Sequence, residues 1–172
     1  MAPADKTSSR LRVAHLNPRQ PTPFVLEPDA VTRNALAREL GLIDLPALHF
    51  SGQIAPAMND AWRLEGDMTA RVVQPCVVTL EPVPADLHES VTRLYSPHAA
   101  DPETDDAEMP DDEIERLGQY IDLAAVMAEA LALALPLYPR APGAELAPAD
   151  ADAETRRPFA GLADLMKKKD GA

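Results

Sequence analysis

Between Trp62 and Val72 apolar and polar residues alternate in a fixed phase: Trp62, Leu64, Met68, Ala70 and Val72 fall on one side of an extended chain, Arg63, Glu65, Asp67, Thr69 and Arg71 on the other. A period of two is the signature of a β-strand. One of its faces must stay wet. A parallel sheet buries both faces and shows unbroken apolar runs, so this strand belongs in an antiparallel sheet with one solvated side. Eighteen prolines each remove a backbone donor, which cuts the rest of the chain into short elements and disfavours long helical bundles. Hydrophobic residues make up 46% of the 172, enough for one core. The expectation is therefore a single α+β domain over residues 1–138, with 139–172 outside it as a Pro- and Ala-rich linker and a short basic helix.

Weaker signals place the other elements. Leu11, Val13 and His15 alternate with Arg12 and Ala14, predicting a strand over 10–16 that Pro18, Pro21 and Pro23 stop. Asp29 can cap a helix over 30–40, where Leu36 and Leu40 stack one turn apart and Gly41 supplies the stop. Leu48, Phe50, Gly52 and Ile54 predict a second half-buried strand; 77–80 and 87–95 are further candidates. Asp122 is placed to cap a helix over 123–135 that Pro136 ends. Its broad apolar face is Leu123, Val126, Met127, Ala130, Leu131 and Ala134, opposite a narrow stripe of Asp122, Ala125, Glu129 and Ala132. Pro158 can open a last short helix in which Phe159, Leu162 and Leu165 or Met166 recur at helical spacing. The fold expected is α+β: a mainly antiparallel twisted sheet, barrel-like if it curls, packed against one long apolar helix, with short N- and C-terminal helices.

Charge bounds the partners. A net charge of -12 repels phosphate at long range, so broad non-specific nucleic-acid binding is disfavoured and any RNA contact must be local. The charge is also segregated. Residues 98–115 hold nine carboxylates and no Lys or Arg, and their mutual repulsion favours a solvated loop inserted in the domain. Within it, Asp105, Asp106, Asp111, Asp112 and Glu113 are candidates for docking a basic partner. Arg156, Arg157, Lys167, Lys168 and Lys169 form the one local positive cluster, a candidate contact for RNA phosphate or a complement to the carbonyl end of a helix. The run from Ile121 to Leu135 is too short for a bilayer and contains Asp122 and Glu129. A single cysteine and the lack of an apolar signal segment point to the cytoplasm.

Reactive chemistry finds little foothold in these residues. His15, His49, His88 and His98 lack metal-ligand spacing, and Cys76 has no cysteine partner. A nucleophilic Cys76 would need a base and a depressed pKa, whereas Pro75, Val77 and Val78 around it predict simple burial. Phosphate loops and nucleophile elbows are absent. Glu129 shares the polar stripe of its helix and is expected at a solvent edge rather than in a site. No catalytic residue, cofactor, metal or small-molecule substrate is therefore expected.

Three segments together resemble the YceD family, the large ribosomal RNA subunit accumulation proteins. They are Cys76-Val77-Val78-Thr79-Leu80-Glu81-Pro82-Val83 after the central strand, Tyr120-Ile121-Asp122-Leu123 running through Glu129 to Leu135-Pro136, and Pro158-Phe159-Ala160-Gly161-Leu162. The helix after Asp29 sits where the family places its N-terminal helix. Many members carry a second cysteine where Thr79 stands, so any Cys-pair site is lost here. The resemblance implies a ribosome biogenesis factor supporting synthesis, processing or stability of large-subunit ribosomal RNA, with no catalytic residues to transfer. Its expected partner is a ribosomal protein, an assembly factor or a limited piece of ribosomal RNA. The rival expectation is a nucleic-acid-processing enzyme that holds a divalent metal on acidic residues. The oligomeric state stays open.

Overall fold

The computed structural model describes residues 8–99 and 114–145. Its elements run β1 (Arg10–Arg12), a 3-10 turn (Val13–His15), β2 (Thr22–Leu26), α1 (Ala30–Glu39), β3 (Asp44–Pro56), β4 (Trp62–Pro75), β5 (Pro82–Ser96), β6 (Ile114–Arg116), β7 (Tyr120–Asp122) and α2 (Leu123–Ala134). All lie in one compact unit, Met1–Pro142; of the remainder, Gly143–Ala172, only 143–145 are described. Among the described residues no helix is long and apolar enough to cross a membrane.

Five strands form one sheet in the order β2-β3-β4-β5-β6, and β1 pairs with β7 in a separate ribbon. Every pairing is antiparallel except β5 with β6. The mixed α+β class and the mainly antiparallel sheet are as the alternation required. Among the described residues the sheet does not close, β2 and β6 being its two ends, so the barrel-like form is not seen. Nor does one long helix cover it. Alternate residues of the strands, among them Phe24, Phe50, Ile54, Leu64, Met68 and Val72, share a single buried cluster with Ala37 of α1 and with Leu123, Met127 and Leu131 of the twelve-residue α2. Each large side chain so buried is worth about 1.5–3 kcal/mol. Both helices therefore lie on one face, and the opposite face is left to water.

Local chemistry fixes both helices. Asp29 Oδ1 accepts the Thr32 amide at 2.8 Å at the start of α1. At its end Leu42 N donates to Ala37 O and Gly41 N to Arg38 O, with Gly41 at φ 67°: the paired hydrogen bonds of a left-handed glycine stop. Asp122 Oδ1 accepts Ala125 N at 3.1 Å to start α2, whose first amides, Leu123 N and Ala124 N, also donate to Ser9 O. In the sheet interior, Gly52 faces Gly66, and this leaves room for the Phe24 and Phe50 rings, whose centroids are 5.0 Å apart.

Three expected elements differ. Residues 77–80 are not a strand but the turn between β4 and β5, because Leu80 N returns to Cys76 O and Leu80 sits at φ 62°. The strand expected over 10–16 ends at Arg12, where the chain tightens into the 3-10 turn. Pro23 does not break the chain; it lies inside β2, an edge strand, where a missing amide can face solvent at no cost to the ladder. The helix expected after Pro158 lies outside the described residues.

Candidate partner interface

With both helices on one side, the polar halves of the alternating strands form a continuous solvent-facing surface. Register puts His49, Thr69 and His88 in one row across β3, β4 and β5, and Ser51, Asp67 and Ser90 in the next usable row. Two open hollows mark this face. One, of about 650 Å³, is bounded by Glu27, Asp29, Arg33, His49, Arg71 and Asp86; the other, of about 460 Å³, by Pro23, Gln53, Glu65, Asp67, Ser90 and Thr92. Arg33 closes one end of the first, held by bonds from its guanidinium to Leu45 O at 3.1 Å and Pro28 O at 2.8 Å.

Several polar groups on this face are paired with one another. Arg71 forms a two-pronged cross-strand pair with Asp86, at 2.7 and 3.2 Å. The hydrogen bond from Arg71 holds the Asp86 carboxyl below its ordinary pKa, and the same bond raises that of Arg71. Ser90 Oγ donates to Asp67 Oδ1 at 2.8 Å, and His49 Nδ1 stands 3.1 Å from Glu27 Oε1. Among the described residues, no three of His, Cys, Asp or Glu cluster closely enough to hold a metal ion. Such a surface can hydrogen-bond and steer charge.

At the inner edge of the sheet Arg93 ties three elements together. Its side chain, only 11% exposed, lies 2.8 Å from Glu129 Oε1 on α2 and 3.6 Å from Glu115 Oε1 on β6. Glu129 is thus at a solvent edge, as its helix stripe implied, but it is also an ion-pair partner. Beside this group, burial and then the Glu115 carboxylate push the Tyr95 hydroxyl well above the usual tyrosine pKa.

Cys76 combines burial with a depressed pKa, which the sequence reading set against each other. It is fully buried, yet its Sγ accepts the amides of Val78 and Thr79 at 3.4 Å and of Ala141 at 3.3 Å. The hydrogen bond from the Thr79 side chain, then the Ala141 and Thr79 amides, lower its pKa from 9.0 to about 6, although burial pushes it up. The expected burial holds, but not the expected lack of a depressed pKa: the neighbouring side chains are apolar, yet the turn aims backbone donors at the sulfur. The segment after α2 completes the arrangement, with Val77 N donating to Pro139 O at 2.9 Å and Gln74 Nε2 to Pro136 O at 3.2 Å.

The residues expected to dock partners, Asp105, Asp106, Asp111, Asp112, Glu113, Arg156, Arg157, Lys167, Lys168 and Lys169, all lie outside the described residues. The rows on the open sheet face did not emerge from the sequence. Each strand shows which residues are wet, but which of them meet across strands depends on register, which no single strand encodes.

No curated protein and no solved structure matches the chain. The model of the family described as Large ribosomal RNA subunit accumulation protein YceD matches residues 64–166, a span that takes in most of β4, the Cys76 turn, β5 and α2. Covering more than half of the sequence, that match settles the kinship: the chain belongs to the YceD family, whose name ties it to the large ribosomal RNA subunit and so to ribosome biogenesis.

Proposed function

We propose that this protein supports synthesis, processing or stability of large-subunit ribosomal RNA as a non-catalytic adaptor in the cytoplasm. The observation that carries the reading, beside the family match, is the open sheet face, a polar surface on which Asp86 is paired with Arg71 and Asp67 with Ser90. A nucleic-acid-processing enzyme working through a divalent metal needs carboxylates converging from ordered elements on one point. Among the described residues, which exclude 100–113, no three of His, Cys, Asp or Glu group closely enough for that. An adaptor needs what this fold offers, namely a broad polar surface on a rigid frame. With a net charge of -12, its natural counterpart is a basic ribosomal protein or assembly factor, approached by electrostatic steering. Residues 101–115 and the basic cluster at Arg156, Arg157 and Lys167 to Lys169 are further candidate contacts on charge grounds.

The test is affinity purification of the intact chain at mild salt, with co-purifying proteins and RNA identified, together with the ratio of large- to small-subunit ribosomal RNA in cells lacking the protein. Ribosomal proteins or assembly factors should co-purify, and the ratio should fall. A co-purifying metabolic complex with an unchanged ratio would refute the proposal.

A further inference from the structure

We infer that the outer edge of β5 takes up an extended basic segment of a partner protein as an added strand, laid in the cleft between β5 and α2. The inference rests on the adaptor reading and names the partner's chemistry. Along one side β5 is bonded to β4 from Pro82 to Tyr95. On its other side β6 covers only Leu94 to Ser96. Among the described residues no strand pairs with the edge from Pro82 to Thr92.

The direction of the free groups follows from the register, which runs without a shift. Successive residues of a strand aim their main-chain groups to opposite sides. Ser96 O, on the β6 side, accepts Leu117 N at 2.9 Å. Counting back in twos, His88, Ser90 and Thr92 aim amide and carbonyl to that same side. Pro82 and Pro84 agree, since they stand at positions of this phase, where a missing amide leaves the β4 ladder intact. Prolines, lysines, bulges and inward charges are devices that protect a sheet edge. Pro82 and Pro84 guard one end, while the stretch from His88 to Thr92 has no proline, lysine or bulge, and its inward charge, Glu89 opposite Met68, disfavours an acidic strand more than a basic one.

The surroundings specify the occupant. On the helix side the edge is flanked by a hollow of about 150 Å³ bounded by Glu89, Val91, Arg93, Ala130 and Leu133. Leu133 is 75% exposed at its lip, placed to cover apolar side chains of an added strand. Beside the hollow the carboxylates outnumber the cation they neutralise: Glu115 and Glu129 pair with Arg93, and Glu89 adds a third, while Arg63 and Arg116 stand at the far end, opposite Leu94 and Ser96. On the open face Asp67 and Glu65 stand one strand in, opposite Ser90 and Thr92. A segment that alternates apolar residues with Lys or Arg satisfies both sides at once, main-chain bonds supplying affinity and alternate side chains specificity.

The test uses the full chain and a fluorescein-labelled synthetic peptide of about eight residues, the length of an ordinary strand, alternating valine and arginine, with a valine–glutamate peptide as control. Anisotropy should show saturable binding of the basic peptide alone, and amide exchange at His88, Ser90 and Thr92 should slow when it binds. Thr92→Pro, which blocks the edge without touching the β4 ladder, and Leu133→Asp, on the exposed side of α2, should each weaken binding about tenfold, as expected for one or two lost contacts of this kind. Leu133→Asp keeps the test valid should Thr92→Pro impair folding. Equal binding of the basic peptide by wild type and both variants, or equal binding of the acidic control, would overturn the inference. So would a wild-type dimer in sedimentation that Thr92→Pro dissolves, because the edge would then belong to a second copy. If ribosomal components co-purify equally with wild type and both variants, the edge is wrong and the adaptor role stands; if none co-purify with wild type, the adaptor role itself fails.

Discussion

Replacing Gly52 with alanine tests how the two long strands are held together. A Cβ at this position would not point clear of the sheet; it would run into the Glu65 carbonyl oxygen and come within 2.5 Å of Gly66 Cα and 2.9 Å of Glu65 C. These are backbone atoms and cannot rotate away. Restoring an ordinary carbon contact of about 3.5 Å means parting β3 from β4 by roughly 1 Å at the middle of their ladder. Overpacking of this kind costs about 1–3 kcal/mol, and one or two stretched ladder bonds add about 1 kcal/mol each. The better strand propensity of alanine returns about 0.5–1 kcal/mol. The net expectation for Gly52→Ala is a loss of about 2–4 kcal/mol, a large part of the 5–15 kcal/mol typical of a domain. Gly41 is the internal control: it has φ 67° but open space around it, so Gly41→Ala costs only the left-handed strain, about 1–2 kcal/mol. Urea unfolding followed through the single tryptophan, the buried Trp62, measures both. If the Gly52→Ala midpoint falls no further than that of Gly41→Ala at equal slope, the close approach of β3 and β4 is wrong.

Other perturbations separate the remaining features. Asp122→Ala should lose about 1 kcal/mol in urea unfolding through the cap on Ala125 N, and Asp122→Asn, which keeps an acceptor, should lose clearly less. Leu131→Ala, a truncation at a fully buried site on α2, should lose about 2–5 kcal/mol. Arg71→Ala, which breaks an exposed pair, should leave the urea midpoint unchanged within error. Cys76 should give stability a pH dependence: its folded pKa, about 6, is below the unfolded 9.0, so between these values the unfolded chain binds the extra proton and stability rises with pH. The contribution is full above about 9 and gone below about 6. Under reducing conditions, the difference in urea midpoint between wild type and Cys76→Ala should therefore widen from pH 6 to 9, and a constant difference would show that the amides do not hold a thiolate.

What was legible in the sequence were the features written within one segment. The β4 alternation carried the sheet, its antiparallel sense and its wet face; Asp29, Gly41 and Asp122 marked helix ends that the structure places within a residue of expectation. What escaped were features that arise between segments. Val77 to Leu80 looked like a strand because three of the four residues are apolar, yet Cys76 binds the amides of residues that follow it and of Ala141, and the chain must turn to bring them in. Pro23 looked like a stop because its neighbours on the sheet were unknown; only at an edge is it harmless. Arg93 occupies an inward position of an alternating strand, opposite Leu64, where an apolar residue would be expected, and only the meeting of β6 and α2 explains its charge.

That inward arginine also bears on how the edge of β5 would work. Glu115 and Glu129 reach Arg93 from different elements, so β6 and α2 are fixed to β5 at the point where the covered edge gives way to the uncovered one. An added strand would begin against a rigid shoulder rather than a frayed end, and less ordering would be needed on binding. β6 itself shows that this side of β5 accepts a strand, here in parallel and for three residues. A charged residue placed inward is among the devices that discourage indiscriminate edge pairing. Arg93, neutralised locally by its two carboxylates and outnumbered by acidic neighbours, would attract a second acidic chain less than a bare arginine and leaves those neighbours to favour a basic one. Discrimination between a basic partner and another copy of this chain, itself at -12, then follows from repulsion between like-charged copies as much as from attraction to the right segment.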